Sequence, residues 1–384
     1  MSDAMGEKIR ILMVLGNTGR GGAQTYAMNV LRNIDRTRFQ IDFAVNFRHQ
    51  NGYEDEMEQL GSHIHIIPKF KGTNYTLYMR RIHEILEQGQ YDIVHGHVSS
   101  SAALYLGAAK KHGCVTIAHS HSAGYRGSLP ERLVKKLFTV GAKEKADYWF
   151  GCSALASRRL FGKHYAQNDH YYDIPNAIIA ERYRFNSQIR QNIRETLGLS
   201  EEDVLYGHVG TFSAPKNHRF LVQVFDELYQ KQGEKAHLVL LGEGALRESV
   251  EQDIHSRGLD KQVIFTGNVG NVHEYLMAMD AMIFPSLFEG FPVTLIEAQA
   301  AGLYSVVSDS ITEEVDVTDC IVRASLSEDI KRWAELASSI PKTDRQANNT
   351  LVSKTIFNMQ NSIGKLMELY EQMWQGKHST AQEG

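Results

Sequence analysis

The stretch "IRILMVLGNTGRGGAQTYAMNVLRN" (Ile9–Asn33) decides the fold. Its first part, Ile9–Gly16, is a short aliphatic run of the kind that forms a buried parallel strand. A glycine-rich turn follows, and the apolar periodicity from Ala23 to Asn33 predicts a helix. Strand, turn and helix in this order begin a βαβ unit, so the stretch predicts a parallel sheet covered by helices.

The same alternation of aliphatic runs and amphipathic stretches continues through most of the chain. One series ends near residue 153 and a second starts at Val204. Repeated βαβ units predict an α/β fold class with two doubly wound parallel sheets, each a Rossmann-like domain. The predicted strands are 9–16, 39–45, 63–68, 91–97, 114–121 and 147–153, then 204–212, 236–244, 262–269, 281–286 and 304–309; the predicted helices lie near 23–33, 53–61, 76–88, 101–112 and 130–146, then near 217–232, 245–257, 271–278 and 293–301.

The two series are separated by a stretch that fits neither, Tyr171–Phe185. Pro175 and Asn176 have turn chemistry there, and a charged run follows. We therefore predict an N-terminal domain over 1–180 and a C-terminal domain over 181–355, with a hinge near 180–190. Helical periodicity near the end predicts a helix over about 360–376 that packs back on the first domain. Two such domains should face a central cleft, with ligands at the carboxyl ends of the strands.

The bulk composition excludes several classes of protein. The chain has 384 residues and a formal net charge of −4, which argues against a general nucleic-acid binder. Its three cysteines are far apart, so neither a disulfide framework nor a structural zinc site is expected. No apolar run approaches the roughly 20 residues that span a bilayer, and no signal peptide is visible. We expect a cytoplasmic protein, with peripheral contact at the inner face of a membrane left open.

The loop after the first predicted strand is rich in glycine. Gly16, Gly19, Gly21 and Gly22 let the backbone approach a ligand, and the next helix offers its N-terminus to an anion. The spacing matches neither the dinucleotide fingerprint nor a Walker A loop. A plain tight turn is the alternative interpretation.

Two later strands end in paired histidines, "IVHGH" and "IAHSH". Side-chain alternation along a strand puts His95 with His97, and His119 with His121, on shared faces. Four histidines at neighbouring strand ends could bind a metal, line a ligand site, or be satisfied core residues. No carboxylate is placed to complete a metal site, so we predict no metal.

In the second domain, "FEGFPVTLIEAQAAG" (Phe288–Gly302) carries two acids, Glu289 and Glu297. Gly290 and Pro292 forbid one continuous helix, so a helix should begin at or just after the proline. The first acid then lies in a loop and the second inside the helix. The backbone N–H groups expected to form an anion cradle between them are those of Gly290, Phe291, Val293 and Thr294.

Several uses of the two acids remain open from spacing alone. They could be an acid/base pair, which needs carboxyls about 5–9 Å apart, acceptors for sugar hydroxyls, or surface charges. The spacing is poor for a metal pair. A cation is available in "VGTFSAPKNH", where Lys216 precedes a predicted helix; a lysine beside a helix N-terminus suits a diphosphate, although a solvated surface lysine is the plain alternative.

The motifs as an ordered set resemble a known family. "PSLFEGFPVTLIEAQAAG" is similar to the E-x7-E signature of retaining glycosyltransferases of the GT-B fold, family 4, with an exopolysaccharide or capsule-type bacterial member as the nearest type. The segments "GGAQTYAMNVL", "YDIVHGH", "IAHSHSAG", "IPNAI", "VGTFSAPKNH", "LVLLGEG" and "VIFTGNV" occur in the family's order, so the resemblance covers nearly the whole chain.

The resemblance implies a role for individual residues. Glu297 would bind the nucleotide ribose, Glu289 would contact the donor sugar, and Lys216 would hold the diphosphate. His121 matches the family's histidine near the donor sugar, and together with Glu289 and Lys216 it forms the implied catalytic set. Gly21 and Gly22 would sit against phosphate or acceptor, and the base would lie near Gly242 and Gly267–Val269. The other implied donor-binding residues are Thr211, Gly290, Phe291, Pro292 and Val293, and the acceptor-side residues are His97 and His119.

The chain departs from the family pattern at a few positions. Thr211 stands where the family usually has an arginine that helps neutralise the leaving diphosphate. Arg219 is the nearest replacement candidate. Ala177 and Tyr304 replace a common glycine and a common proline.

The implied reaction transfers a sugar from a nucleoside diphosphate sugar, UDP-sugar favoured, to an acceptor hydroxyl with retained anomeric configuration. No cofactor is implied, and no DxD metal motif is present. The implied partners are the nucleotide sugar and a glycan or lipid-linked acceptor, without nucleic acid. A catalytically weak glycosyltransferase-like scaffold and a GT-B epimerase or phosphorylase are the alternatives; a dehydrogenase is disfavoured because the dinucleotide fingerprint is missing.

One stretch, Arg126–Phe150, could lie on a membrane. It combines an apolar stripe with lysines, which suits an anionic bilayer carrying a lipid-linked acceptor. An ordinary helix that covers the sheet is the alternative.

Overall fold

The computed structural model describes residues 8–121 and 141–382, with side chains to residue 379. The chain forms two compact units. Unit 1 comprises Met1–Ala177 together with Met359–Gly384, and unit 2 comprises Ile178–Asn358. The first crossing between them lies just before the predicted hinge near 180–190.

Unit 1 is built on a seven-stranded sheet with the order β3-β2-β1-β4-β5-β6-β7, and every strand pair in it is parallel. Its strands are β1 (Ile9–Leu15), β2 (Phe39–Val45), β3 (Ile64–Ile66), β4 (Ile93–Gly96), β5 (Val115–Ser120), β6 (Tyr148–Gly151) and β7 (Tyr171–Asp173). The described helices up to β7 are α1 (Gly22–Asn33), α2 (Glu54–Gln59), α3 (Tyr75–Gly89), α4 (Ala102–Lys111), α5 (Ala142–Lys145) and α6 (Ala154–Phe161).

Unit 2 is built on a six-stranded parallel sheet with the order β10-β9-β8-β11-β12-β13. Its strands are β8 (Val204–Val209), β9 (Ala236–Leu241), β10 (Val263–Gly267), β11 (Ala281–Phe284), β12 (Tyr304–Ser308) and β13 (Ile321–Ala324). Its helices are α7 (Ser187–Thr196), α8 (His218–Gln232), α9 (Arg247–Ser256), α10 (Val272–Ala278), α11 (Val293–Ala300), α12 (Ile330–Ser338) and α13 (Arg345–Ser353).

The last helix, α14 (Met359–Gln382), returns to unit 1. Ile363, Leu366 and Tyr370 of α14 are buried in the same apolar cluster as Phe39 of β2. Among the described residues, no helix combines the length and the apolar character needed to cross a membrane.

The aliphatic strands follow from burial on both faces of each sheet. Successive residues of β1 enter two different apolar clusters: Ile11 and Met13 lie in one, and Leu12 and Val14 lie in the other. Helices cover both faces of a doubly wound sheet, so its central strands are apolar on both faces and at most positions rather than at alternate ones. The predicted fold class, two doubly wound parallel sheets, is thereby confirmed.

The stretch that fitted neither series is structured. Tyr171–Asp173 forms the edge strand β7, and the charged run after Phe185 forms α7, whose first turn is capped by the side chain of Asn186. Charged residues hid α7 in the sequence, although Ile193 and Leu197 pack on the apolar core of unit 2, and arginines anchor the helix further. The guanidinium groups of Arg190 and Arg194 both pair with Asp280, and Arg194 is almost fully buried.

Each sheet has a point where the strand order reverses, between β1 and β4 in unit 1 and between β8 and β11 in unit 2. Loops at the carboxyl ends of strands on either side of such a switch point form the usual ligand crevice of doubly wound sheets. The glycine-rich loop follows β1 and the first histidine pair ends β4. The loop of Lys216 follows β8 and the loop of Glu289 follows β11.

Candidate functional site

The switch point of unit 2 holds an ion pair between two of the predicted residues. The ammonium group of Lys216 lies 2.7 Å from Oε1 of Glu289, and the side chains are only 17% and 14% exposed. The two loops also meet through their backbones, because the N–H of Leu287 donates to the carbonyl of Pro215 at 2.7 Å. Lys216 and Glu289, 73 residues apart, therefore form one partly buried charged site.

The loop that carries Lys216 is fixed by its neighbours. Ala214–Lys216 forms a 3₁₀ turn with a proline in its first turn, and Asn217 adopts a left-handed conformation with φ of 55°. The side-chain amide of Asn217 donates to the carbonyl of Pro285 at 3.2 Å, next to the loop of Glu289. Asparagine tolerates this conformation better than most residues, so it can end the turn and start α8 directly beside the lysine.

The acid-bearing segment has the predicted helix start. Helix α11 begins at Val293, with Glu289 in the preceding loop and Glu297 in the helix. The expected anion cradle is smaller than predicted, because the N–H of Val293 donates to the carbonyl of Phe291 at 3.0 Å across Pro292. This inverse γ-turn uses the donor within the loop. The cradle is thus limited to Gly290, Phe291 and Thr294, whose N–H groups meet no backbone carbonyl in the described part of the chain.

The second acid has a different environment. The hydroxyl of Tyr183 donates to Oε1 of Glu297 at 2.7 Å. Burial raises the pKa of Glu297, while the Tyr183 hydrogen bond and the nearby Arg182 oppose that change. Glu289 is paired with a cation and Glu297 with a neutral hydroxyl, so the two acids serve different chemistry. Sequence reasoning missed Tyr183, which follows "IPNAI" with no motif of its own.

Two buried histidines beneath Lys216 were also missed. His208 of β8 bonds the carbonyl of Ile283 through Nδ1 at 2.9 Å, and its other nitrogen lies beside the lysine side chain at the Gly210 backbone. His218 stacks on the ring of Phe212 at 4.2 Å. Burial, followed by the charge of Lys216, lowers the pKa of His218 to about 4. Burial also lowers the pKa of His208 well below its usual value. Both rings are therefore neutral at neutral pH, and Lys216 is the charged group beside them.

The glycines at the ends of β9 and β10 have a structural explanation. Gly242 has a φ of 137°, and a Cβ atom there would lie 2.2 Å from the carbonyl oxygen of Gly210. Its N–H donates to the carbonyl of Gly267 at 2.9 Å. Three neighbouring strand ends thus lie close together, which only glycine allows. Val269, the predicted base contact beyond them, is half-buried against the apolar core of unit 2.

The position of the missing arginine is open to solvent. Thr211 is exposed in the loop after β8, and it brings no charge. Arg219, the candidate replacement, is exposed on the first turn of α8 and forms no ion pair with any described residue. Lys216 is consequently the cation that the structure brings to Glu289.

The four histidines of unit 1 form one cluster at the ends of β4 and β5. The predicted shared faces are confirmed: the rings of His95 and His97 lie 4.3 Å apart, and those of His119 and His121 lie 4.0 Å apart. Tyr26 of α1 contacts three of the four rings. Sequence reasoning missed this tyrosine, although it follows the glycine-rich loop by only one helical turn.

Half of this cluster is a hydrogen-bonded relay with fixed proton positions. His119 bonds the carbonyl of Ile174 through Nε2 at 3.2 Å, so that nitrogen carries the proton and Nδ1 accepts. His95 then donates its Nε2 proton to Nδ1 of His119 at 3.1 Å. The remaining nitrogen of His95 accepts the hydroxyl proton of Tyr370 at 2.6 Å. His95 is thus a satisfied core residue, one of the interpretations left open by the sequence.

The other half of the cluster has unused atoms. His97 Nδ1 and His121 Nε2 lie 2.7 Å apart and share one hydrogen bond. His97 Nε2, His121 Nδ1 and the Tyr26 hydroxyl are buried and meet no hydrogen-bond partner in the described ranges. Whichever ring donates in the shared bond, the neutral pair offers one donor and one acceptor at its two outer nitrogens.

Burial keeps these imidazoles neutral. It lowers the pKa of His95, His97 and His119 well below the usual value, and the neighbouring histidines add to the effect. The pKa of His121 falls to about 3 for the same reason. Unit 1 therefore presents uncharged hydrogen-bonding groups where unit 2 presents an ion pair.

Three of the rings are close enough to share a metal ion. Their nearest nitrogens, from His95, His97 and His119, lie within 4.8 Å of one another. However, both nitrogens of His95 and both of His119 already have partners, and a metal would have to displace them. The geometry favours the hydrogen-bonded relay, and the absence of a metal stays a prediction.

The glycine-rich loop leads directly into α1. The helix begins at Gly22, with Gly21 as its N-cap and no side chain capping its first N–H groups. Both glycines are exposed. A Cβ atom at Gly21 would lie 2.6 Å from the side-chain oxygen of Gln24, whereas Gly22 has open space. An uncapped helix N-terminus of this kind attracts an anion.

The chain matches two family models. The model described as "Glycosyltransferase Family 4" covers residues 20–182, and the model "Glycosyl transferases group 1" covers residues 189–338. A "Putative glycosyltransferase EpsF" of Bacillus subtilis is 31% identical over 94% of this chain and 96% of its own length. The chain belongs to the family 4 glycosyltransferases. A capsular polysaccharide biosynthesis glycosyltransferase, CapH of Staphylococcus aureus, is 22% identical over 94% of this chain and 98% of its own.

Solved structures agree with this membership at the level of the fold. Anabaena HepE in complex with UDP has a TM-score of 0.76 and 14% identity, covering 94% of this chain and all of its own. A glycosyltransferase from Rickettsia africae has a TM-score of 0.77 and 15% identity, covering 96% of this chain and 99% of its own. The fold of this family 4 glycosyltransferase is GT-B, as the resemblance implied.

The membrane stretch falls largely outside the described residues. Of Arg126–Phe150, the part before residue 141 is not described; the part after it contains α5 and most of β6. The indole N–H of Trp149 donates to the carbonyl of Lys143 at 3.2 Å, so this part packs on itself.

Proposed function

We propose that this glycosyltransferase is a retaining enzyme that moves a sugar from a UDP-sugar to an acceptor hydroxyl. The observation that carries the proposal is the Lys216–Glu289 pair at the switch point of unit 2. Glu297 lies in α11, the helix that follows the loop of Glu289. The similar structure of HepE contains UDP, which supports a uridine nucleotide as the donor group.

The proposed task of Lys216 is to bind the diphosphate. In the free protein its charge is neutralised by Glu289 at 2.7 Å. A bound diphosphate competes for the same ammonium group and frees the carboxylate of Glu289 to accept hydroxyl groups of the donor sugar. The N–H groups of Gly290 and Phe291, and the N-termini of α8 and α11, supply further partial positive charge.

The proposed task of Glu297 is to bind the ribose. Its Oε1 accepts from Tyr183, which fixes the carboxylate and leaves Oε2 for hydroxyl donors. The predicted contacts of Gly242 and Val269 with the base, of Gly21 and Gly22 with phosphate or acceptor, and of His121 with the donor sugar remain parts of this proposal.

Catalysis in this proposal is charge stabilisation and positioning. The bond from the anomeric carbon to the diphosphate oxygen breaks, and that oxygen takes the proton of the acceptor hydroxyl that bonds on the same face. Lys216 stabilises the charge that develops on the leaving oxygen. No step in this scheme requires a metal ion.

The proposed acceptor is a glycan or a lipid-linked sugar used in cell-surface polysaccharide or glycolipid synthesis. The names of two relatives support it: an Escherichia coli galactosyltransferase and a Campylobacter jejuni N-acetylgalactosaminyltransferase act on diphospho-undecaprenol substrates. Of the two predicted acceptor-side histidines, His119 has both ring nitrogens engaged, so the proposal keeps the direct contact for His97. Action on such acceptors implies work at the inner face of a membrane.

The second candidate is a catalytically weak scaffold, favoured by the uncharged and exposed Thr211. A melting-temperature screen with UDP-, GDP- and ADP-sugars separates the two. We expect a UDP-sugar to raise the melting temperature and its sugar to be transferred or hydrolysed with the anomeric configuration kept, as followed by NMR. Absence of a shift with every nucleotide supports the scaffold, and isomerised nucleotide sugar without acceptor supports an epimerase.

A further inference from the structure

One edge of unit 1 exposes an unusual number of large apolar side chains. Ten such side chains are exposed in the described part of the chain, and four of them lie between residues 47 and 77. They are Phe47, Ile66, Tyr75 and Leu77, each more than 40% exposed. Exposed apolar residues that are concentrated in one region, rather than scattered, mark interaction surfaces.

These residues lie at one end of the sheet and along its edge. β3 is the edge strand, and its Ile66 is in register with Val45, two residues before Phe47. The guanidinium of Arg81 in α3 donates to the carbonyl of Ile66 at 3.1 Å. Leu77 precedes Arg81 by one helical turn and so lies on the same face of α3. The strand register and the Arg81 hydrogen bond thus join the ends of β2, β3 and α3 into one surface.

The loop between β3 and α3 adds two lysines to this surface. Phe70 packs on the buried ring of Tyr78 at 5.4 Å, and its neighbours Lys69 and Lys71 are exposed. The side chain of Asn74 holds the loop, since its amide donates to the carbonyl of Lys69 and its oxygen accepts the N–H of Lys71. The lysines are therefore presented on an anchored loop. We call Phe47, Ile66, Lys69, Lys71, Tyr75 and Leu77 the apolar–basic edge.

The stretch after α2 is locally basic. Residues 59–83 contain no Asp or Glu and carry four Lys or Arg, whereas the preceding α2 is acidic, with its Glu56 and Glu58 paired with Arg32 and Arg48. Arg80 and Arg81 pair with Glu84, but no described carboxylate lies within ion-pair distance of Lys69 or Lys71. The surface therefore combines apolar side chains with two uncompensated cations.

We propose that the apolar–basic edge docks on an anionic lipid bilayer. Aromatic and aliphatic side chains enter the boundary between headgroups and acyl chains, and lysines bind the anionic headgroups there. The edge lies at the carboxyl ends of β2 and β3, the same end of the parallel sheet at which His97 and His121 follow β4 and β5. Docking through it would hold this end of unit 1 against the membrane. The inference concerns lipid binding alone and does not depend on the donor or the acceptor.

Flotation of the full-length protein with lipid vesicles tests the proposal. We expect binding to vesicles containing phosphatidylglycerol and little binding to pure phosphatidylcholine. The double variant Lys69→Gln/Lys71→Gln should bind the anionic vesicles about 25-fold more weakly, since each lysine near the surface contributes about fivefold. The control Lys331→Gln/Lys354→Gln removes two exposed lysines from unit 2 and should bind like the wild type.

The apolar part of the edge has its own variant and control. Phe47→Ser/Leu77→Ser should also reduce binding, whereas Leu351→Ser, an exposed leucine of unit 2, should not. All of these side chains are exposed, and unchanged melting temperatures verify folding. The response of the melting temperature to UDP, measured on the same variants, reports the donor site separately.

Four outcomes would overturn the proposal. One is that no vesicle binds the protein, and another is that the Lys69/Lys71 variant binds like its control. The third is that Lys135→Gln/Lys136→Gln abolishes binding while the edge variants retain it, which would assign docking to the stretch 126–150. If the edge variants change the sedimentation coefficient instead of vesicle binding, the edge is a contact between copies of the chain and the membrane assignment is wrong.

Discussion

The switch points of the two units occupy equivalent places in their sheets but carry opposite chemistry. In unit 2, the loops after β8 and β11 bring together an ammonium group and a carboxylate. In unit 1, the loops after β1, β4 and β5 bring together neutral imidazoles and a tyrosine. The reversal of strand order that both sheets share thus determines where a site lies. The side chains at the strand ends determine what it binds. A charged diphosphate suits the first, and sugar hydroxyls suit the second.

The largest effect should come from removing the charge of unit 2. Lys216→Ala should lower kcat/KM by roughly 100- to 1000-fold, because a preorganised group that stabilises a developing oxyanion is lost. Steady-state assays with the best donor measure it. Lys235→Ala, which removes an exposed lysine paired with Glu202, is the matched control and should leave the rate unchanged. Equal rates for both variants would show that Lys216 is not part of the active site.

The second effect tests whether Glu297 binds donor hydroxyls. Glu297→Gln keeps the shape but replaces an oxygen acceptor with a donor, and hydrogen bonds to charged groups contribute about 1.5–3 kcal/mol. We expect the dissociation constant of the nucleotide to rise by roughly 10- to 100-fold. Calorimetric titration measures it, with Glu314→Gln as a control on the surface of unit 2. Wild-type affinity in Glu297→Gln would contradict the ribose assignment.

The third effect tests the neutral relay of unit 1. Tyr370→Phe leaves Nδ1 of His95 buried without its donor, which should cost about 1–3 kcal/mol of unfolding free energy. Tyr75→Phe alters an exposed hydroxyl and should cost little. Urea denaturation of both variants gives the comparison. If the two lose the same stability, the relay does not hold α14 on the sheet.

The smallest effect concerns the pH dependence of stability. The pKa of His121 is about 3 in the folded chain against the usual 6.5, so the unfolded chain binds more protons between these values. The ring has no effect above pH 6.5 and destabilises the fold progressively as the pH falls below it. His121→Gln should reduce the slope of unfolding free energy by up to about 1.4 kcal/mol per pH unit. The exposed His255→Gln is the control, and identical slopes between pH 6.5 and 5 would refute a neutral His121.

The sequence predicted those elements of the fold that local residue patterns encode. Aliphatic runs revealed the central strands because burial on both faces makes them apolar at most positions, and Gly290 with Pro292 predicted the start of α11. Helix α7 was missed because its many charged residues mask the apolar positions Ile193 and Leu197, and because Arg190 and Arg194 anchor it as well. The anion cradle was overestimated at Val293, since a γ-turn inside the loop cannot be read from residue types.

Long-range partners were beyond any local pattern. The faces shared by the histidines followed from alternation along a strand, but their proton positions depend on Tyr370, which is 275 residues away from His95. The pairing of Lys216 with Glu289 likewise joins two loops that only the strand order brings together. Their roles toward a donor remain predictions.

The central claim is that Lys216 binds the diphosphate of a uridine nucleotide. The most direct measurement is calorimetric titration of the wild type and Lys216→Ala with UDP and with uridine. We predict that the substitution weakens UDP binding by at least about tenfold and leaves uridine binding unchanged, because only UDP carries the charge that Lys216 meets. Equal losses for both ligands, or no loss for UDP, would contradict the account.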